Sequence, residues 1–303
     1  SAGPSNYRIL DNKLFSFSGT IFTNSLIVLI GLSIAWFIHY EGNRLYANNV
    51  QNFKSIEALE AQKVVHTVEN SLNDIYKKLT TLSKLPLVHD QAHRQNISPE
   101  ILETIAALMQ DFKNRGNVSF HIFPSKPDTK TLLSPQGLNL SNQGKAMLEQ
   151  GIKKHILWFK KKYPTSLTNK ESKVPAISDW ISDPLRQNNK RQNHSENQTD
   201  SILYSVAIYD ESGKFSGLAS AILTTEIFEK PLYSENAVLI YKSGENQFLF
   251  PSKLPSLLRG SLQKIQKQEN DPRLLFSESS KLSVSDEGAH WIVWQGSDDS
   301  VFL

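Results

Sequence analysis

SILYSVAIYDESGKFSGLASAILTT, residues 201–225, is the stretch whose reading decides the fold. Two apolar runs, SILYSVAIYD (201–210) and KFSGLASAILTT (214–225), meet at Asp210-Glu211-Ser212-Gly213. A polar turn with Gly where positive φ is tolerated joins two strands into a hairpin. Both runs are apolar almost throughout. Both strands are therefore expected centrally in a sheet that is covered on its two faces.

Upstream, RQNNKRQNHSENQTD (186–200) is a low-complexity polar run that cannot bury a core and reads as a loop with solvated charges. VPAISDWI (174–181) reads as a strand. Ser141 caps a helix that runs to about Lys162, with Met147, Leu148, Ile152, Ile156 and Phe159 as its apolar members and Pro164 as its stop. VSFHIF (118–123) and Thr129–Ser134 are strand-like. Ser98-Pro99-Glu100 opens another helix, with Ser98 as N-cap and Ile101, Ile105, Leu108, Met109 and Phe112 on its apolar face. Residues 87–99 are polar and read as irregular. Within them, His89 and His93 have the four-residue spacing of a metalloprotease helix, with Asp90 where that motif has Glu. The flanks are polar and contain Pro99, which favours a solvated turn, so no metal site is assigned.

Downstream, EIFEKPLY (226–233) is helix-like, and AVLIYKSGENQFLF (237–250) again reads strand, Ser-Gly turn, strand. AIYDESGK and LIYKSGEN are short matches and a weak internal repeat. SLLRGSLQKIQKQ (256–268) is amphipathic and helical; LLFSES (274–279), KLSVSD (281–286), HWIVWQ (290–295) and VFL (301–303) are strand-like. A domain rarely stops in mid-strand, so the natural chain is expected to continue past Leu303.

The N-terminal part reads differently. LFSFSGTIFTNSLIVLIGLSIAWFIHY, residues 14–40, carries no Asp, Glu, Lys or Arg. As a helix of roughly 1.5 Å rise per residue it would run about 40 Å, enough to cross a hydrocarbon core of roughly 30 Å. It is too long for a signal peptide and is followed by no small-x-small cleavage site. The expectation is a transmembrane helix at 14–40 behind a short cytoplasmic N-terminus at 1–13, where Arg8 and Lys13 lie. Residues 41–86 form a long exit helix stopped by Pro86. Val68, Leu72, Ile75, Leu79 and Leu82 recur along it in alternating steps of four and three. Such a stripe suits packing on the domain's own sheet or a dimer seam, and these five are assigned to dimerisation and signalling.

Composition narrows the function. The net charge is +3, and no basic run is interleaved with aromatics, so nucleic acid is not an expected partner. The absence of cysteine removes disulfides, thiolate nucleophiles and zinc-thiolate sites together. The sequence has no GxSxG, GxxxxGK[ST] or HExxH motif, and no catalytic residue is assigned.

A membrane helix, a long exit helix and two unequal sheet modules, with the hairpin YDESGKFSGLASAIL, resemble the Cache family of extracytoplasmic sensors in its double-Cache form. The resemblance implies an α+β fold with two PAS-like antiparallel-sheet modules. The membrane-distal module would cover 87–232 and hold the ligand pocket; the membrane-proximal one would cover 233–303 and be incomplete. It implies the ligand-sensing region of a membrane-anchored receptor of the histidine kinase, chemoreceptor or cyclic-dinucleotide enzyme type. Such a receptor is a homodimer in the bacterial inner membrane with its bulk in the periplasm. A ligand signal would pass through the exit and transmembrane helices, and any catalysis would belong to a later output domain. The family's amino-acid-binding pattern has an Arg two residues before a Trp-Tyr pair and an Asp in the last distal strand. Here Trp158-Phe159 fall at the pair, Ile156 at the Arg and Ile222 at the Asp, so an amino-acid ligand is not expected. Trp158, Trp180, Tyr204 and Tyr209 are the candidate ligand-binding aromatics, with Lys160 or Lys154 as a positive charge for another anion. The expected partners are an unidentified small molecule, the membrane and a second copy; no cofactor is expected. The competing reading is a bitopic scaffold of an envelope or secretion complex with no small ligand.

Overall fold

The computed structural model describes residues 6–91, 98–110, 118–126, 140–166, 173–182, 200–234, 237–251, 260–264 and 274–298. The chain divides into two units, Ser1–Ile56 and Glu57–Leu303. One helix, α1 (Asn6–Ser83), accounts for the described part of the first unit and continues into the second. The expected division between a membrane helix and an exit helix is thus no break in the backbone. No proline interrupts it, and Ser33 hydrogen-bonds back to the Leu29 carbonyl (2.8 Å) without disturbing the helix. By length and composition α1 can cross a membrane, and Ile27, Leu29, Leu32, Trp36 and Phe37 on it are exposed.

The second unit is built on two four-stranded antiparallel sheets. Short helices α2 (Pro86–Gln91) and α3 (Pro99–Met109) follow α1. Pro86 stops α1 as expected, but it also opens α2, since the first helical position needs no N–H. Part of the run read as irregular is therefore helical; His93 lies outside the described residues. Pro99 opens α3 in the same way, while Ser98 has the extended backbone of an N-cap without the side-chain bond. The first sheet has the order β1-β4-β3-β2, from β1 (Val118–Pro124), β2 (Ala176–Ile181), β3 (Ser201–Tyr209) and β4 (Phe215–Thr224). Helix α4 (Asn142–Lys162) lies between β1 and β2 in the chain, and the Ser141 hydroxyl accepts from Gly144 N (3.1 Å) as its cap. The hairpin turn forms as read. Gly213 has φ +76°, its N–H bonds to the Asp210 carbonyl (2.9 Å), and Asp210 N bonds to Lys214 O (2.8 Å). Both strands are buried nearly end to end.

A 3-10 turn (Thr225–Phe228) and α5 (Glu229–Ser234) lead to the second sheet, ordered β6-β5-β8-β7. Its strands are β5 (Ala237–Ser243), β6 (Asn246–Phe250), β7 (Leu274–Lys281) and β8 (His290–Asp298). Residues 260–264 are helical, within the helix expected at 256–268. The strands read at Thr129–Ser134 and 301–303, and the polar run 186–199, lie outside the described residues. One reading is corrected: KLSVSD is not a strand. β7 ends at Lys281; Leu282 N still reaches Trp291 O (2.8 Å), and the backbone beyond it bonds to other elements instead of continuing the ladder, as described below.

Strand alternation sorts the side chains into three cores. One face of both sheets shares a single core with α1, which includes Phe120, Tyr204, Val206, Leu239, Tyr241 and Trp291. Val68, Leu72, Ile75, Leu79 and Leu82 are 0 % exposed in that core. This corrects the assignment of these side chains to a dimer seam: they fasten α1 onto its own sheets. The opposite face of the first sheet packs on α4 through Leu148, Ile152, Ile156, Phe159, Leu203 and Ile222. A smaller cluster of Val238, Ile240, Leu262 and Trp294 covers the other face of the second sheet.

His121 on β1 faces the α4 side, beside the Ser119 hydroxyl (2.8 Å) and stacked on Phe123 (5.8 Å between centroids). Burial lowers its pKa to about 4. The unfolded chain binds this proton near pH 6.5, so the folded state loses stability as pH falls from 6.5 towards 4. The loss is expected to reach about 3 kcal/mol near pH 4, because each tenfold change in proton affinity is worth roughly 1.4 kcal/mol. The stability of the parent relative to His121→Phe should fall by that amount between pH 7 and pH 4 in denaturant unfolding. A difference that stays constant with pH would show that His121 is not held neutral.

Candidate functional site

Two features join the sheets: a polar clasp and, beside it, a cavity. The clasp is the segment after β7. Asp286 is half-buried and accepts five hydrogen bonds. They come from the Ser178 N–H (3.2 Å) and hydroxyl on β2, from Gly288 N (2.9 Å) and Ala289 N (3.2 Å), and from Trp291 Nε1 (2.8 Å) on β8. Its carboxyl sits above the usual carboxylate range because burial outweighs the donors. The Tyr241 hydroxyl bonds to Ser178 Oγ (2.9 Å), extending the network to β5. Neighbouring groups bind other elements. The Tyr204 hydroxyl donates to the Ser285 carbonyl, and Glu287 N donates to Ala176 O (2.9 Å). Ser283 N donates to Glu69 on α1 (2.5 Å), while Lys162 and Tyr163 at the end of α4 both bond to Glu287. Gly288 passes so close to β2 that a Cβ there would lie 2.7 Å from Ile177 Cγ1. One loop thus contacts α1, α4, β2 and β8, which explains why it cannot remain a strand.

The cavity, of about 500 Å³, lies between the edge strands of the two sheets. Met147, Gln150, Gly151 and Lys154 on α4 form one wall, and Asp179, Trp180 and Ile181 on β2 another. Tyr241, Phe248 and the turn Ser243–Asn246 of the β5–β6 hairpin close the third side. That volume falls in the range of small-molecule pockets. Trp180 stacks flat on Phe248 (5.3 Å, 5°) and is tilted against Tyr241 (5.5 Å). Gly244, with φ +56°, makes the hairpin turn.

Asp179 sits at the cavity wall with one oxygen 2.5 Å from Lys154 Nζ and the other 3.3 Å from His155 Nε2. Burial pushes its carboxyl up, but His155 and Lys154 together outweigh that and hold it below the usual range. Behind it, buried His155 Nδ1 meets Ser205 Oγ (2.8 Å), and Ser205 meets Ser220 Oγ (2.8 Å). The consistent direction has Ser205 donating to Nδ1 and Nε2–H facing the carboxylate. This chain resembles a Ser-His-Asp arrangement, but Ser205 and His155 are 0 % exposed, so no substrate carbonyl can reach the hydroxyl.

The five predicted ligand residues do not converge. Trp180 and Tyr204 point to the α1 face of the first sheet; Trp158 and Tyr209 belong to the α4 face. Trp180 alone lines the cavity. Its Nε1 is anchored on Asp200 (2.9 Å). Tyr204 is fully buried and tied to the clasp. The Tyr209 hydroxyl bonds to the Tyr163 carbonyl (3.2 Å), and burial raises its pKa to about 12. Trp158 packs edge-on against Phe159 (4.8 Å) under the Lys162 ammonium (5.0 Å). Lys160 donates to the Ser125 carbonyl (2.8 Å), whereas Lys154 is the lysine at the cavity. The residues missed were Asp179, Tyr241, Phe248 and Glu245. The short repeat at LIYKSGEN was their one available signal, since it marked a hairpin turn.

The class is thus a PAS-like α+β fold with two antiparallel sheets, the layout that the resemblance to double-Cache sensors implies. Among solved structures, the chain is similar to the periplasmic sensory domain of the Campylobacter jejuni chemoreceptor Tlp1, at 10% identity over 83% of this chain and 97% of that one, with a TM-score of 0.47. It is also similar to the ligand-binding domain of the C. jejuni chemoreceptor Tlp3, solved with L-valine, at 15% identity over 86% and 96% of the two chains, TM-score 0.42. A third is the ligand-binding domain of the Pseudomonas aeruginosa PAO1 amino acid chemoreceptor PctC, solved with GABA, at 11% identity over 82% and 100%, TM-score 0.40. No family model and no curated protein matches the sequence.

Proposed function

We propose that this chain is the extracytoplasmic, ligand-sensing region of a membrane-anchored signal-transduction receptor, placed in the periplasm of a bacterium with its anchor in the inner membrane. The observation that carries this reading is the cavity between the two sheets, bounded by the Lys154–Asp179 pair and the Trp180–Phe248 stack. A ligand there would touch α4, β2 and the β5–β6 hairpin at once. It would therefore favour one spacing of those elements over another, which is the differential affinity a sensor needs. The clasp joins β2 to Glu69 on α1, and α1 is the helix that runs on to the apolar span. The reading gives these residues a sensing role and leaves any catalysis to an output domain. A homodimer contact would fall on the exposed side chains Leu45, Tyr46 and Ile56 of α1, because the stripe from Val68 to Leu82 is buried.

The test is a thermal-shift screen of the whole chain in detergent micelles against organic acids, amines, amino acids and sugars. A ligand at about 100 times its dissociation constant should stabilise the fold by roughly 2.7 kcal/mol. Gln150→Trp, which adds bulk from an exposed position on the cavity wall, and Phe248→Leu should each abolish the shift. A cooperative unfolding transition that no compound moves would end the ligand-sensing reading.

A further inference from the structure

The charges around the cavity carry the reading one step further, to a ligand class; this step rests on the sensing role proposed above. Three charged side chains line the space: Lys154, Asp179 and Glu245. Lys154 is already committed to Asp179 at 2.5 Å, so the cavity's cation is neutralised. Asp179 is flanked from behind by His155 Nε2 at 3.3 Å, so it keeps a polar neighbour when Lys154 moves away. Glu245, at the tip of the β5–β6 hairpin, has no hydrogen-bond or ion-pair partner among the described residues. An incoming anion would meet two carboxylates and a lysine already in use. An incoming cation would meet an unpaired carboxylate on the hairpin. It could also take the place of the Lys154 ammonium on Asp179, since that side chain is 57 % exposed and can swing into water.

The remaining lining suits an organic body. Phe248 lies flat against Trp180, and their π-faces and the Tyr241 ring favour a positive charge near an apolar group. The Tyr241 hydroxyl is used by Ser178, so it offers the ligand an aromatic body more than a donor. We propose that the cavity takes an organic ammonium compound with an apolar or aromatic body, its charge set between Glu245 of the hairpin and Asp179 of β2. Bound so, the ammonium spans the two sheets, and the hairpin is drawn towards α4 and β2.

The experiment compares three probes of similar size on the whole chain in detergent at pH 7 and low salt: 2-phenylethylamine, 2-phenylethanol and 3-phenylpropionate. The amine should raise the melting temperature, the alcohol less, and the carboxylate not at all. Raising the salt concentration should weaken the amine's effect. Glu245→Gln, at an exposed position that leaves the fold intact, should weaken amine binding about fivefold, the scale of one partly exposed charge pair. Lys154→Met should strengthen it by freeing Asp179. Equal binding of amine and alcohol, or amine binding unchanged in Glu245→Gln, overturns the ligand class. A different class that stabilises the parent and fails with Gln150→Trp overturns the class while leaving the sensing role standing. No stabilisation by any class removes both.

Discussion

Asp286→Ala is expected to destabilise the second unit by about 3–5 kcal/mol. The substitution removes the acceptor for the Trp291 indole N–H, the Ser178 hydroxyl and three backbone N–H groups, and Ser178, Ala289 and Trp291 among these donors are buried. Each buried donor left unmade costs about 1–3 kcal/mol. Relief from burying the carboxyl, whose pKa burial raises, offsets part of that sum, which is why the expected total stays well below five full penalties. Asp286→Asn separates shape from charge. It keeps one oxygen for Gly288 and Ala289 but turns an N–H₂ towards Ser178 or Trp291, so it should fall about halfway between the parent and Asp286→Ala. Thermal unfolding followed by near-ultraviolet circular dichroism reads both variants, because Trp291 and Tyr241 lie in the network. Hydrogen exchange should show faster opening at β2 and β8 together. A loss under about 1 kcal/mol for Asp286→Ala would mean that the sheets are held by their shared apolar core and that the loop merely fills space.

The clasp also marks where the sequence stops being informative. The hairpins, the Ser141 cap and the α4 face were legible because each depends on residues within a few positions: a turn glycine, a capping hydroxyl, an apolar period. SVSDEG alternates like a strand, and nothing local shows that Asp286 will accept from Ser178, 108 residues away. The cavity lining is hidden in the sequence for a related reason. Residue type alone groups the aromatics, yet Tyr204 and Tyr209 stand five apart on one strand, so they point to opposite faces and cannot share a pocket. That parity could be read from the sequence. The partnership of Asp179 with Lys154 could not, because it needs the position of α4 over the sheet edge. Phe248 and Glu245 were similarly hidden, since they reach the cavity from a different sheet.

Leu72→Ala tests the role of the helical stripe, and its expected result is a loss of about 2–5 kcal/mol with no change in self-association. Leu72 is 0 % exposed and belongs to the core that α1 shares with both sheets. Truncating a buried leucine removes its transfer energy and leaves a cavity that a helix pinned on two sheets cannot close. Glu69, one turn away, bonds to Ser283 N, and Tyr76 bonds to the Val174 carbonyl (2.7 Å), so α1 has little freedom to shift into the gap. For a unit of this size the loss corresponds to a fall in melting temperature of roughly 10 °C. Sedimentation of the whole chain in detergent should give the same mass for variant and parent. A dimer seam predicts the reverse: the folded unit would keep its melting temperature at high protein concentration, and the mass would drop. Tyr46→Ala supplies the matched control. Tyr46 is 61 % exposed on the same helix, so its truncation should leave the stability within about 0.5 kcal/mol of the parent. If α1 meets a second copy, the change in mass should come from Tyr46→Ala and not from Leu72→Ala. The same pair of variants therefore separates what holds the helix to its own sheets from what it offers to a partner.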